Sequence, residues 1–176
     1  MFWGRVMIQN AASFFYYQKG SRYQNIIHAM KYHGGQQLGL DLGRWYGLEL
    51  KDSPFACAEM IHPVPLHVSK KRARGYNQSE MIARGISEAL GIPLETNLIK
   101  RIINTDTQTH KSKYDRWSNV EGIFHVKDPE RIRNKHVLLV DDVVTTGSTL
   151  EACAAPVLAV EGTQVSILTL GCVKVH

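Results

Sequence analysis

The sequence predicts an α/β fold built on a mostly parallel sheet. Strand-like runs alternate with helix-period stretches along the chain, the arrangement that βα units produce. The run "HVLLV" at 136–140 is apolar at every position, as a strand covered on both faces must be. The 176 residues suffice for one domain with a sizeable core, and they contain no internal repeat, low-complexity tract or long linker.

Residues 13–33 read as a helix broken near Gly20, with Tyr23, Ile26, Ile27 and Met30 on one face. After Gly34 and Gly35 a second helix is expected, with Leu38, Leu42, Trp45 and Leu48 as its apolar stripe. "AEMIHPVPL" reads as a short strand stopped by Pro63 and Pro65, followed by a basic, glycine-bearing loop, "HVSKKRARGYNQ". Asn77 with Glu80 three residues on is a capping-box pattern. The helix it opens buries Met81, Ile82, Gly85, Ile86 and Ala89, and Gly91 with Pro93 ends it. Strands are expected at 98–103 and 122–126, separated by a polar stretch, 104–119, whose length suits a lid. A strand at 136–140, a helix at 148–159 and a strand at 165–170 complete the chain.

Composition narrows the function classes. No apolar run approaches the ~20 residues of a membrane span, and the first residues carry no basic leader or cleavage site. The three cysteines are odd in number and far apart, which argues against a disulfide framework or a Cys-only zinc site and points to the reducing cytoplasm. Cys153, in an apolar run, is expected to pack as a small hydrophobe. The eight histidines show no ligand spacing. The net charge of +5 is clustered, most densely at Lys70, Lys71, Arg72 and Arg74.

The chemistry concentrates in "HVLLVDDVVTTGST". Asp141 and Asp142 leave the strand at its carboxyl end, where open α/β sheets bind ligands. A turn follows and opens a helix, so backbone N–H groups, a close-approach glycine and the helix dipole form an anion site. Thr145, Thr146, Gly147, Ser148 and Thr149 make up that turn, and their hydroxyls add donors. A bare phosphate would be repelled by two carboxylates next door. A sugar phosphate resolves the conflict: its phosphate takes the turn, and its vicinal hydroxyls donate to the carboxylates. The stretch therefore reads as a ribose 5-phosphate clamp. Neither a Walker lysine after a glycine loop nor a G-x-G-x-x-G fingerprint is present.

"VLLVDDVVTTGST" resembles the 5-phosphoribosyl 1-pyrophosphate (PRPP) motif of the type I phosphoribosyltransferases. More narrowly, "HPVPLHVSKKRARGYNQSEMIA", "RWSNVEGIF" and "NIIHAMKYHGG" resemble the ComF family of competence-associated phosphoribosyltransferase-like proteins. The resemblance implies a type I phosphoribosyltransferase-like sheet of about five strands with helices on both faces. It also implies an N-terminal helical segment or hood over 1–50 and a core over 51–176. By position it assigns the ribose hydroxyls to Asp141 and Asp142 and the 5-phosphate to residues 145–149. Pyrophosphate falls to Lys70, Lys71, Arg72 and Arg74, and the flexible lid to Gln108, Lys113 and Arg116. Family members usually carry a four-cysteine zinc module, which this cysteine set does not form, so no zinc is expected.

Magnesium is expected to arrive on PRPP and not in a protein cage. The acceptor, a nucleobase or an amine, is not identified by any residue pattern. Three readings follow: a PRPP-dependent transferase, a non-catalytic PRPP or nucleotide binder in DNA uptake, and a nucleic-acid binder using Lys70 to Arg74. The last would bind with a steep salt dependence, and Asp141 and Asp142 would oppose a phosphate backbone locally. A homodimer is compatible with all three, and no membrane partner is expected.

Overall fold

The computed structural model describes residues 6–17, 22–32, 35–102 and 122–173. The element order is β1 (Ala11–Tyr17), α1 (Arg22–Tyr32), α2 (Gln36–Glu49), β2 (Met60–Pro63), α3 (Val68–Arg74), α4 (Gln78–Leu90), β3 (Ile99–Arg101), β4 (Phe124–Val126), β5 (His136–Val144), α5 (Ser148–Leu158) and β6 (Gln164–Val173). Four strands form a sheet in the order β1-β6-β5-β2, every neighbouring pair parallel, while β3 and β4 make a separate antiparallel pair. Among the described residues the sheet has four of the about five strands expected, and a further residue, Leu94, makes a single parallel bridge to Ile61.

Central position explains the apolar run in β5. Successive side chains on a strand point to opposite faces. Val137 and Leu139 accordingly join one core with Val165, Ile167, Leu150, Cys153 and Val157, roofed by α5 and the β3–β4 pair. Leu138 and Val140 join the other with Leu168, Leu170, Ile82, Ile86 and Met30, roofed by α1, α2 and α4. Cys153 is fully buried in the first core, as expected of a small hydrophobe. His62 ties β3 to the sheet. The Ile99 N–H donates to its Nε2 (3.1 Å), and its Nδ1 donates to the Pro63 carbonyl (2.8 Å). Burial pulls the His62 pKa down to about 4, so the ring serves as a neutral strut.

Several expectations need correction. Residues 11–17 are a strand, not helix: "AASFFYY" is rich in aromatics that suit a pleated surface, and pairing with β6 from Ile167 to Val173 overrides the helical pattern. On α2 the inward face is Gly39, Leu42, Gly43, Tyr46 and Gly47, while Trp45 and Leu48 of the expected stripe are 63% and 52% exposed. Asn77 does occupy the N-cap position of α4, but its side chain donates to the Val64 carbonyl (3.0 Å) and caps nothing. Glu80 faces Lys71 and Arg84, so no capping box forms. The expected basic loop is mostly the helix α3, closed by Gly75 in the left-handed conformation.

The glycine face of α2 exists for α4. A Cβ on Gly43 would lie 2.2 Å from the Ile82 carbonyl oxygen, and one on Gly85 would lie 2.1 Å from that of Leu40. The two backbones touch, and only hydrogen fits between them. Gly85→Ala is therefore expected to force the helices apart and destabilise by about 1–3 kcal/mol, read as a lower urea midpoint. Trp45→Ala on the opposite face is expected to stay within about 0.5 kcal/mol of wild type.

Candidate functional site

Asp141 and Asp142 lie inside β5, which runs on to Val144 and so extends past the expected strand end at 140. Asp141 sits in register with Thr169 of β6, whose hydroxyl hydrogen-bonds Ser13 of β1 at 2.6 Å. Each carboxylate accepts the backbone N–H that follows it: the Asp142 N–H donates to Asp141 Oδ1 (2.9 Å), and the Val143 N–H donates to Asp142 Oδ1 (2.7 Å). Two further side chains arrive from outside the strand. Ser79, in the first turn of α4, donates its hydroxyl to Asp141 Oδ1 at 2.8 Å. Lys31, in the last turn of α1, places Nζ 3.2 Å from Asp142 Oδ2.

These contacts answer an electrostatic problem. Burial pushes the Asp141 carboxyl well above the ordinary aspartate range, and the neighbouring Asp142 charge pushes it further. Ser79, the Asp142 N–H and the charge of Lys31 pull it back only in part. A carboxyl poised in this way accepts hydrogen bonds from hydroxyls, and the site gains from a ligand that supplies them.

The turn after β5 has the expected form. Gly147 is the N-cap of α5 at φ 86°, a conformation open to glycine, and it contributes no capping side chain to the first-turn N–H groups. Thr145, Thr146, Ser148 and Thr149 are exposed around it, with the Thr146 and Ser148 hydroxyls 3.1 Å apart. The Ser148 N–H donates to Thr146 Oγ1 (3.4 Å), and the exposed hydroxyls at the start of an 11-residue helix suit an anion.

The basic residues are only partly drawn in. Lys71, Arg72 and Arg74 occupy the last turn of α3, where cations complement the helix dipole. Lys71 lies 3.5 Å from Glu80, and Arg74 donates to Gln78 Oε1 at 2.9 Å, one residue from Ser79. Lys70 is half-buried and Arg72 exposed. Gln108, Lys113 and Arg116 lie outside the described residues. Lys31 and Ser79 are the partners of the acid pair that sequence reasoning missed. Tyr76 is the link between them, because its hydroxyl donates to the Met30 carbonyl and pins the end of α1 beside the start of α4.

Among the described residues no three His, Cys, Asp or Glu come together as a metal cluster, and no helix is long and apolar enough to cross a membrane.

The raised Asp141 pKa sets a sign for stability against pH. The folded protein holds this proton more tightly than the unfolded chain, so the contribution to stability is present at low pH. It is lost as pH climbs from about 4, the unfolded aspartate value, to about 7. His62 works in the opposite direction over an overlapping range, which makes the difference between two proteins the informative quantity. Asp141→Asn is expected to gain stability relative to wild type across that window, measured as urea midpoints at half-unit pH steps.

Residues 76–172 match the phosphoribosyl transferase domain family. Competence protein F of Haemophilus influenzae is 34% identical over 130 residues, which is 71% of this chain and 57% of that protein. DNA utilization protein YhgH of Salmonella typhi is 29% identical over 133 residues, 73% of this chain and 58% of that protein. Competence protein ComFC of Bacillus subtilis is 33% identical over 95 residues, 54% of this chain and 36% of that protein. The chain thus matches less than two thirds of the length of these relatives. Among solved structures, a glutamine phosphoribosylpyrophosphate amidotransferase from B. subtilis, complexed with ADP and GMP, superposes with a TM-score of 0.53 at 19% identity. That overlap takes in 76% of this chain and 26% of that one, a likeness of fold. The match that begins at Tyr76 takes in Ser79, the acid pair and the turn together, and with the competence-protein relatives it settles the family: the chain belongs to the ComF proteins of the phosphoribosyl transferase superfamily.

Proposed function

We propose that this protein binds PRPP and transfers its 5-phosphoribosyl group to an acceptor with release of pyrophosphate. One observation carries the reading: a carboxylate pair held by donors is followed by a hydroxyl-rich helix start whose N-cap is glycine. A ligand with hydroxyls at one end and a phosphate at the other satisfies both halves. Asp141 and Asp142 receive the ribose hydroxyls, and the turn from Thr145 to Thr149 receives the 5-phosphate. Lys70, Lys71, Arg72 and Arg74 are the cationic candidates for the pyrophosphate, with Arg74 nearest along the chain to the Ser79 contact.

Cleavage at the anomeric carbon develops oxocarbenium character, by analogy with glycoside chemistry. Carboxylates beside the ribose stabilise that positive charge, and they do so without reorganising because Ser79 and the backbone already fix them. Magnesium entering on the diphosphate would meet the two carboxylates of the strand, one of them paired with Lys31. Bound there, the ion would neutralise the departing diphosphate.

The names of the relatives favour a second reading, in which the same clamp binds PRPP or a nucleotide in DNA uptake without turnover. Pyrophosphate release in the presence of a panel of nucleobases and amines separates the two.

Calorimetric titration with PRPP and magnesium is expected to show saturable binding to the wild type. Two charge-assisted hydrogen bonds are worth about 1.5 kcal/mol or more each, so Asp141→Asn with Asp142→Asn is expected to weaken it by about a hundredfold or more. Unchanged affinity in the double variant would remove the acid pair from the site.

A further inference from the structure

The ion pair between Lys31 and Asp142 joins parts of the chain that the local motifs do not connect. Asp142 uses Oδ1 for the Val143 N–H and Oδ2 for Lys31, so a hydroxyl that arrives at Oδ2 meets the ammonium on the same oxygen. The pair is sheltered, with the two side chains 27% and 17% exposed, and solvent screens it less than it would a surface pair. The adjoining residue, Met30, is buried and accepts the Tyr76 hydroxyl through its carbonyl. Tyr76 immediately follows Gly75, where the basic helix α3 ends. The end of α1 that carries Lys31 is thereby tied to the segment that follows the cationic helix.

We propose that Lys31 is a specificity-determining residue: it selects ribosyl ligands that carry an anionic group at C1 over the same sugar phosphate without one. The inference rests on the proposed function, with the ribose 2-hydroxyl taken by Asp142 and the 3-hydroxyl by Asp141. In a furanose the hydroxyl-bearing C2 is bonded to C1. A 2-hydroxyl on Asp142 therefore brings the C1 substituent into the neighbourhood of the Lys31 ammonium. That group has three donors, of which the Asp142 contact uses one. A diphosphate at C1 gives the remaining donors an anion to bind, and a plain hydroxyl does not. Lys31 also offsets the negative charge that the pair would otherwise turn toward a polyanionic ligand.

The test compares PRPP with ribose 5-phosphate, both with magnesium, by calorimetry on wild type, Lys31→Met, Lys31→Gln and Lys31→Arg. Lys31→Met and Lys31→Gln are expected to weaken PRPP by about tenfold or more, the worth of one charge-assisted contact, and to change ribose 5-phosphate by less than about threefold. Lys31→Arg, which keeps the charge, is expected to retain most of the preference. A structural role alone would lower both affinities by the same factor and leave their ratio at the wild-type value, and that result overturns the proposal. A wild type that binds neither ligand overturns the phosphoribosyl reading itself and this inference with it. Wild-type PRPP binding with an unchanged ratio in the variants sinks the Lys31 assignment alone.

Discussion

Two adjacent carboxylates in the most deeply covered strand of the sheet are the constraint to which the rest of this structure answers. β5 has neighbours on both sides and apolar cores on both faces up to Val140, and the next two residues are Asp141 and Asp142. Like charges on consecutive residues repel, and burial raises the energy of each ionised form. The chain meets this with donors of three kinds. The backbone of β5 supplies N–H groups to both residues, α4 supplies a hydroxyl to Asp141, and α1 supplies an ammonium to Asp142. The first kind is local. The other two require helices from distant parts of the chain to end at the same place.

That requirement accounts for features that otherwise look unrelated. The start of α4 can stay near Asp141 because α4 is locked against α2, and the lock is the backbone contact through Gly43 and Gly85. Asn77 forgoes its capping role to hold the Val64 carbonyl just past β2, which fixes the entry of α4 relative to the sheet. Tyr76 then fastens the end of α1 to this junction through Met30, one residue from the lysine that faces Asp142. Helix packing and site geometry are in this sense one problem. A substitution that loosens the α2–α4 crossing reaches the carboxylates through Ser79 without touching them.

The same division explains what could be read from the sequence. β5, the glycine turn, α5 and α4 announce themselves through local signals: an unbroken apolar run, a hydroxyl-rich turn with glycine, and an apolar face at helical spacing. The acid pair and the turn were legible for that reason. The misreadings arose where a distant partner decided. Residues 11–17 carry a pattern compatible with either element, and β6 selects the strand. The inward face of α2 was hidden because its signal is glycine, and an apolar stripe through Trp45 and Leu48 competes with it. α3 was hidden by the glycine that merely ends it. Lys31 and Ser79 lie within stretches that carry the family resemblance, but nothing in those stretches ties a lysine near a helix end or a serine after an N-cap to the acid pair. Only the fold makes them neighbours of the carboxylates.

The arrangement also bears on which ligands suit the surface. A uniformly anionic polymer meets two opposing fields here, attraction at α3 and repulsion at the acid pair. The attraction is blunted, because Lys71 faces Glu80, Arg74 is engaged by Gln78, and the cations already sit against the carbonyl end of their own helix. A ligand that places hydroxyls on the carboxylates and phosphates elsewhere meets no such conflict. The two acids within β5 are therefore a filter as much as a clamp. They admit an anion only when it comes attached to a polyol, and Lys31 sets how much further negative charge that polyol can carry beside them.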